Sequence, residues 1–156
     1  ALAHRAFEQG ITIAEKIAGA DPKPVIDDTV PQVVFSFPEA ASVGLTLDQA
    51  KAREDVVEPK ETAYPMLSNA RMLMSGEGGS MTVVSGAFAN NPDMQVVLGV
   101  HIVSPIASDL IAEAEQLVGN RVPLADAARL IHPHPTFSET LGEALLKADG
   151  RPLHTR

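Results

Sequence analysis

The chain has 156 residues, 45% of them hydrophobic, which is enough for one domain with a buried core and one attached helix. Twenty acidic residues against twelve basic ones give a net charge of −8, which opposes binding to nucleic-acid phosphates and to anionic membrane surfaces. Cysteine is absent, so this chain cannot form a disulfide, a thiolate metal site or a cysteine nucleophile. With no apolar run long enough to span a bilayer and no leader-like start, we expect a soluble, cytoplasmic protein.

The first segment of the chain is predicted to be a helix. Residues 2–18 carry an apolar stripe at helical spacing, and Gly19 ends the pattern. The stripe must pack against something other than the neighbouring sequence, because residues 20–30 are rich in Pro and Asp and read as a linker.

Three strands are predicted in the next part of the chain. Residues 33–37 form a β-branched and aromatic run between two prolines, and residues 42–45 form a second, shorter run. Residues 56–64 read as a strand that Pro59 interrupts, which indicates an edge strand or a bulge. Between these strands, Thr46 and Gln49 have the spacing of a capping box for a helix over about 47–53.

The sequence in the middle of the chain predicts buried methionine side chains and a β-hairpin. Met66, Met72 and Met74 are typical of adaptable core packing, and the glycine-rich turn that follows them lacks the context of a phosphate-binding loop. Two strand-like runs follow, joined by a turn; they comprise residues 82–89 and 95–103, with residues 90–93 between them. Gly86 and Gly99 mark bulges or close approaches. His101 lies on the second run, where we expect a packed, hydrogen-bonded residue rather than a metal ligand.

Helices dominate the last third of the sequence. Ser104 and Pro105 are typical of the N-cap and the first residue of a helix, and the apolar periodicity continues to Gly119. A shorter helix is predicted over 123–130. Clustered strands with helices on one side predict an α+β domain, with a mainly antiparallel sheet of about four to five strands. We expect the helix over 105–118 and the segment 123–148 to carry apolar surface that a second copy of the chain covers.

The segment His132-Pro-His-Pro-Thr-Phe-Ser-Glu139 is the strongest chemical signal. Each His precedes a Pro, which favours extended backbone and a stiff, non-helical segment. His134 and Glu139 could form a dyad in which the carboxylate fixes the tautomer of a proton-accepting ring. The same residues also fit a capping box, with Thr136 as N-cap and Glu139 reaching back to the backbone. From the pattern alone both interpretations stay open, and Gly150 ends the helix that follows.

Three separated motifs carry a family resemblance. They are the segment 132–139, the run Pro-Gln-Val-Val-Phe-Ser-Phe-Pro-Glu-Ala-Ala-Ser-Val-Gly-Leu-Thr in residues 31–46, and the start Leu-Ala-His-Arg-Ala in residues 2–6. In this order they resemble the C-terminal part of the flavin-dependent pyridine nucleotide–disulfide oxidoreductases, and within that family the dihydrolipoamide dehydrogenase branch. Ser104 and Asp109 depart from the family pattern, which has Gly and Glu there.

The resemblance implies a domain organisation. Residues 1–19 would be the last helix of the preceding FAD-binding domain, and residues 20–30 would be the linker. Residues 31–150 would form the dimerisation (interface) domain with a two-fold homodimer interface, and residues 151–156 a frayed tail. The redox-active cysteine pair and the dinucleotide-binding folds would lie upstream, so we expect this fragment alone to bind no FAD and to be inactive. By analogy, the Phe37–Pro38 and His134–Pro135 peptide bonds are expected to be cis.

The resemblance also implies a function for the intact enzyme. It would oxidise a protein-bound dithiol, carried by the lipoyl-bearing acyltransferase component of a 2-oxo acid dehydrogenase complex, and pass the electrons through a disulfide and FAD to NAD. His134 would be the base that serves the partner subunit, with Glu139 orienting it. The backbone at His134 and Pro135 would border the flavin of the opposite subunit. Leu2, Ala3 and His4 would border the flavin of their own subunit, and His132 would lie outside the dyad and either support it or have a structural role.

Two other functions remain open from the sequence. One is another disulfide reductase of the family, similar to glutathione reductase. The other is a non-catalytic acidic module that serves dimerisation or binds a metal. His132, His134 and Glu139 could then hold zinc with one open position, although we expect no metal site.

Overall fold

The computed structural model describes residues 2–155 and arranges them as an α+β fold, which confirms the predicted class. The strands are β1 Gln32–Val34, β2 Glu39–Gly44, β3 Val56–Pro65, β4 Ser80–Phe88 and β5 Asn91–Ser104. The helices are α1 Ala3–Ile17, α2 Leu47–Ala52, α3 Ala70–Ser75, α4 Ala107–Gly119, α5 Leu124–Ala127 and α6 Glu139–Ala148. Within residues 2–155, none of these helices has the length and apolar character needed to cross a membrane.

The five strands form one antiparallel sheet, as the sequence predicts, and their order in the sheet is β1-β2-β5-β4-β3. Across it runs a row of paired residues that all face the same side: Val33, Ala41, Ile102, Met81 and Tyr64. Because side chains alternate along each strand, this row builds one apolar face. Helices α4, α5 and α6 cover that face and complete the main core.

Helix α2 lies against the opposite face of the sheet. Its buried Ala50 packs with a smaller apolar cluster from β3, β4 and β5: Val56, Val84, Val96 and Leu98. The predicted capping box is present, because Thr46 accepts a hydrogen bond from the Gln49 N–H and the Gln49 side chain accepts one from the Thr46 N–H. A local pattern therefore suffices to start this helix.

Two strand boundaries differ from the prediction, because pairing with neighbouring strands determines where a strand begins and ends. β1 ends at Val34, so Phe35 and Phe37 lie outside the strand and are exposed. β2 begins at Glu39 rather than at residue 42, because its whole length pairs with the end of β5. At Pro59 the prediction is confirmed on both counts: β3 is an edge strand, and its register shifts between residues 57 and 60.

The β4–β5 hairpin is tighter than predicted. Phe88 pairs with Asn91, so the turn consists of Ala89 and Asn90 and the predicted turn over 90–93 is wrong. Strand pairing continues into residues 91–94 although their composition is typical of a turn. The close approach predicted at Gly99 is confirmed, because it faces Gly44 of β2 and leaves no room for a side chain.

Helix α4 begins later than predicted and is capped by a distant residue. Ser104 is the last residue of β5, so it is not the N-cap, and the helix begins at Ala107. The N–H of Ser108 donates to Oε2 of Glu39, at 2.8 Å, across 69 residues of sequence. A strand carboxylate thus satisfies a free N–H of the first turn. The following helix, predicted over 123–130, is confined to α5.

The methionine-rich region forms a short helix next to the core. Met66 and Met72 are fully buried, as predicted for core filling, whereas Met74 is exposed. The side chain of Asn69 caps α3 by accepting from the Met72 N–H at 3.0 Å.

Both predicted cis peptide bonds, Phe37–Pro38 and His134–Pro135, are cis in the structure. Residues 151–155 form no helix or strand, and His154 Nδ1 lies 2.7 Å from Oε1 of Glu143. Arg156, the last residue of the predicted frayed tail, lies outside the described residues.

The apolar surface left uncovered lies only partly where the sequence places it, because Leu130 and Ile131 of the segment 123–148 are exposed. The apolar residues of α4 are buried on the chain's own sheet. Helix α1 instead buries none of its side chains within this chain. The large apolar side chains that remain exposed on α1 and beside residues 132–139 are Phe7, Ile11, Ile13, Ile17, Leu67, Leu73, Met74, Leu130 and Ile131.

Replacement of Gly44 by Ala is expected to destabilise the fold by at least about 2 kcal/mol, because of backbone strain and steric overlap. Its φ is +79°, and an added Cβ would lie 2.7 Å from the Cα of Gly99. Urea denaturation measures the change. Gly10→Ala is the matched control, because no atom lies within 4 Å of its added Cβ. Equal midpoints for Gly44→Ala and the wild type would show that β2 and β5 are not this close.

The Glu39 cap predicts a pH-dependent contribution to stability. The backbone and side-chain hydrogen bonds from Ser108 hold the pKa of Glu39 below its ordinary value of 4.5. A lowered folded-state pKa means that the contribution is present above pH 4.5 and is lost as the pH falls through the folded pKa. The difference in melting temperature between the wild type and Glu39→Gln should therefore shrink on acidification. A difference that is constant with pH would contradict the capping role.

Candidate functional site

The candidate site lies on the irregular segment between α5 and α6. His134 is near its middle, with 70% of its side chain exposed. The segment ends at Ser138, directly before the first residue of α6. The helix that follows the segment helps to hold the His134 ring in place, and the ring remains accessible to solvent.

His134 and Glu139 are in contact. Nδ1 of His134 lies 2.9 Å from Oε1 of Glu139, whose side chain is 20% exposed. A carboxylate only accepts, so this contact places the ring proton on Nδ1. Nε2 then carries the lone pair of the neutral ring, and no atom of residues 2–155 is hydrogen-bonded to it. The ring can accept a proton at its exposed nitrogen.

The second oxygen of Glu139 forms one half of the predicted capping box. Oε2 accepts from the Thr136 N–H at 2.7 Å. The other half is absent, because the Thr136 hydroxyl donates to the carbonyl of Pro133 and the N-cap residue is Ser138. Thr136 as N-cap is therefore wrong. The two interpretations of Glu139 do not exclude each other, since each of its oxygens serves one of them.

The surroundings of Glu139 favour its charged form. Partial desolvation raises its pKa, but the hydrogen bonds from the Thr136 N–H and the His134 ring, with the charges of His134 and His132, lower the pKa below the ordinary value. Glu139 is consequently a carboxylate at neutral pH, able to stabilise a protonated ring beside it.

Side chains from the methionine-rich region support the segment. Asn69 Nδ2 donates to the carbonyl of Thr136 at 3.2 Å, and the Arg71 guanidinium lies over the Phe137 ring, 5.4 Å from its centroid. Sequence reasoning missed both contacts. An Asn before a short helix is recognisable as an N-cap, but nothing local indicates that its amide also binds a backbone 67 residues away.

The side chain of His132 is largely buried and contacts a second carboxylate, that of Glu113. Only 10% of its side chain is exposed, and Nε2 lies 2.7 Å from Oε1 of Glu113 on α4. The hydrogen bond to Glu113 raises the pKa of His132, although burial opposes the rise. Within residues 2–155 no three His, Cys, Asp or Glu side chains are grouped to hold a metal ion. The side chains of His132, His134 and Glu139, named above for an alternative metal site, are thus not arranged as a group of ligands.

The remaining predicted site residues lie elsewhere. Leu2 is the N-cap of α1 and lines a groove of about 410 Å³ against β1, β2, β4 and β5, with neither His134 nor Glu139 in its lining. Ala3 is exposed, and Nε2 of His4 donates to the carbonyl of Pro31 at 2.7 Å, which ties α1 to the start of β1.

His101 has the structural role that the sequence indicates. Its Nδ1 accepts from the Ser42 hydroxyl at 2.6 Å, and its Nε2 donates to the carbonyl of Leu45 at 3.1 Å. Both ring nitrogens are occupied, so His101 is not available as a ligand or a base.

Comparison with known proteins agrees with this architecture. The chain is 40% identical over 154 residues to a dihydrolipoyl dehydrogenase of Bacillus subtilis, and 41% identical over 155 residues to one of Cupriavidus necator. Each alignment covers 98% of this chain and 31% of the relative, so the chain spans about a third of the length of the curated relatives it matches.

Solved structures share the fold. LpdA from Mycobacterium tuberculosis superposes with a TM-score of 0.82 at 29% identity, over 94% of this chain and 31% of that one. RclA, an HOCl-induced flavoprotein disulfide reductase from Escherichia coli, superposes with a TM-score of 0.71 at 21% identity, over 86% of this chain and 30% of that one, a likeness of fold alone.

The family profile described as "Pyridine nucleotide-disulphide oxidoreductase, dimerisation domain" matches residues 30–145. This match covers all five strands and the segment with His134 and Glu139, and so includes two of the three motifs. Together with the relatives that match 98% of the chain, it confirms the family resemblance. The chain belongs to the dimerisation-domain family of the pyridine nucleotide-disulphide oxidoreductases.

Proposed function

We propose that the intact protein is a dihydrolipoyl dehydrogenase, to which this chain contributes the dimerisation domain and a catalytic base. The observation that carries the proposal is the contact between His134 Nδ1 and Glu139 at 2.9 Å, which leaves Nε2 exposed. The relatives named dihydrolipoyl dehydrogenase, which match 98% of the chain, support the choice of this reaction over that of another disulfide reductase.

His134 acts as a general base on a dithiol. Its Nε2 takes the proton of a substrate thiol, and the resulting thiolate is the nucleophile of disulfide exchange. Glu139 holds the proton on Nδ1 and stabilises the charge that appears on the ring. The exposure of His134 fits a base that works on a group brought by another subunit or protein, such as the lipoyl group of an acyltransferase component.

FAD and NAD are the cofactors that the family implies, and the residues present here fit a border to the flavin rather than a binding site of their own. The backbone carbonyl of His134 accepts no hydrogen bond from residues 2–155 and is free to accept one from a neighbouring group. Leu2 and Ala3 are positioned at the start of α1. When bound, FAD would carry electrons from the reduced cysteine pair of the intact enzyme to NAD.

The homodimer fits the surface that the chain leaves uncovered. Leu130 and Ile131 are exposed directly before His132, on the segment between α5 and α6, and Leu67 and Leu73 are exposed on the region that supports it. Exposed apolar residues around a base are typical of a surface that another subunit covers. A dimer contact here would bring His134 to the partner subunit and give each active site residues from two chains.

In the intact enzyme, His134→Gln should slow dithiol oxidation by a factor on the order of 10²–10⁴, the range for loss of a general base. Flavin content and dimerisation should be unchanged, because the ring is exposed and leaves no core cavity. Steady-state rates with dihydrolipoamide, flavin absorbance and sedimentation measure the three quantities. Normal turnover of a flavin-loaded dimer would exclude His134 as the base.

Glu139→Gln separates the two roles of the carboxylate. The amide oxygen can still accept from the Thr136 N–H, so the melting temperature should hardly change. Turnover should fall roughly 10–100-fold, because a neutral amide supports the ring poorly. Glu143→Gln is the matched control on the same helix, since Glu143 binds His154 instead. Equal turnover of the two variants would remove Glu139 from the mechanism.

A further inference from the structure

The ring of His132 lies between α4 and α6. On one side it binds Glu113 of α4 at 2.7 Å. On the other side it lies against Gly142 of α6, where a Cβ would come within 2.6 Å of Nδ1 and 2.9 Å of Cε1. Glycine is needed at 142 because the ring occupies the space of a side chain there.

These contacts join the two histidines through one helix. Gly142 is three residues after Glu139, so both lie within about one turn on the same side of α6. The helix therefore fixes the distance between the carboxylate that binds His134 and the glycine against which His132 packs. His132 and His134 are separated only by Pro133, which restricts the backbone between the rings.

We propose that His132 and Glu113 are positioning residues, which fix the site segment against α4 and α6 so that the His134 ring stays aligned on Glu139. The inference rests on the proposed function, since it assigns these residues to the same base. The environment of the pair supports it: only 10% of the His132 side chain is exposed, and its Nε2 has in Glu113 the hydrogen-bond partner that a buried polar atom needs. The exposed ring of His134 has no comparable packing and depends on the segment that carries it.

The test is the state of the His134 ring in the 156-residue chain labelled with ¹⁵N-histidine. Ring ¹H–¹⁵N spectra report which nitrogen carries the proton, and His134→Gln identifies the His134 signals. Two variants disturb His132 by different means: Glu113→Ala removes its partner, and Gly142→Ala displaces the ring without removing any polar group. Their matched controls are Glu115→Ala on α4 and Gly10→Ala on α1, neither of which contacts His132.

Both variants should move the His134 signals away from the Nδ1-protonated form, by at least half of the shift that Glu139→Gln causes. The controls should leave them unchanged, and the signals of His4 and His101 should stay fixed in all four variants that retain the fold. If Gly142→Ala unfolds, Glu113→Ala alone decides the question. In the intact enzyme, Glu113→Ala should lower kcat more than it changes KM for the dithiol.

The outcomes separate the two proposals. If Glu139→Gln shifts the His134 signals but Glu113→Ala leaves them unchanged, the positioning role is overturned and the dyad stands. If Glu139→Gln itself has no effect on the His134 signals, the dyad is overturned, and the positioning proposal falls with it.

Discussion

The central pairing of β5 with β2 on one side and β4 on the other is the constraint on which the structure depends. Along β2 the pairing runs from Glu39 opposite Ser104 to Gly44 opposite Gly99. It brings the Glu39 carboxylate to the place where α4 begins, and there the carboxylate accepts the Ser108 N–H. The start of α4 is thus set by a neighbouring strand, and with it the place of Glu113.

The position of α4 in turn affects the geometry of the candidate site. Glu113 binds His132, whose ring packs on Gly142 of α6. Glu139 at the start of α6 binds His134. Two histidines that are two residues apart therefore have opposite environments, one inside between helices and the other outside in solvent. A buried, satisfied ring is suited to fixing backbone, and an exposed ring with one free nitrogen is suited to exchanging a proton.

Glu139 shows how one residue can serve local structure and chemistry together. One oxygen binds the Thr136 N–H next to the helix start, and the other binds the His134 ring. The hydrogen bond from the Thr136 N–H does not prevent Glu139 from binding the His134 ring, because a carboxylate has acceptor sites on both oxygens. The helix start is also a favourable place for a negative charge, which strengthens both contacts.

The sequence by itself determined the features that depend on neighbouring residues. The capping box at Thr46, the edge strand with its bulge at Pro59, the buried Met66 and Met72 and the close contact at Gly99 follow from residue type and spacing. The α+β class follows from the order of the elements, and the family from three motifs. The proximity of His134 and Glu139 was likewise available, because only five positions separate them.

Only the tertiary structure decided the contacts between residues that are distant in sequence. Ser104 looks like an N-cap, but pairing with β2 makes it the end of a strand, and a carboxylate from 69 residues away caps the helix instead. The same holds for Glu113 with His132 and for Asn69 with Thr136. Polar side chains on helices and loops are ordinary in any sequence. Which of them become partners depends on how the sheet brings their elements together, and that is a property of the whole fold.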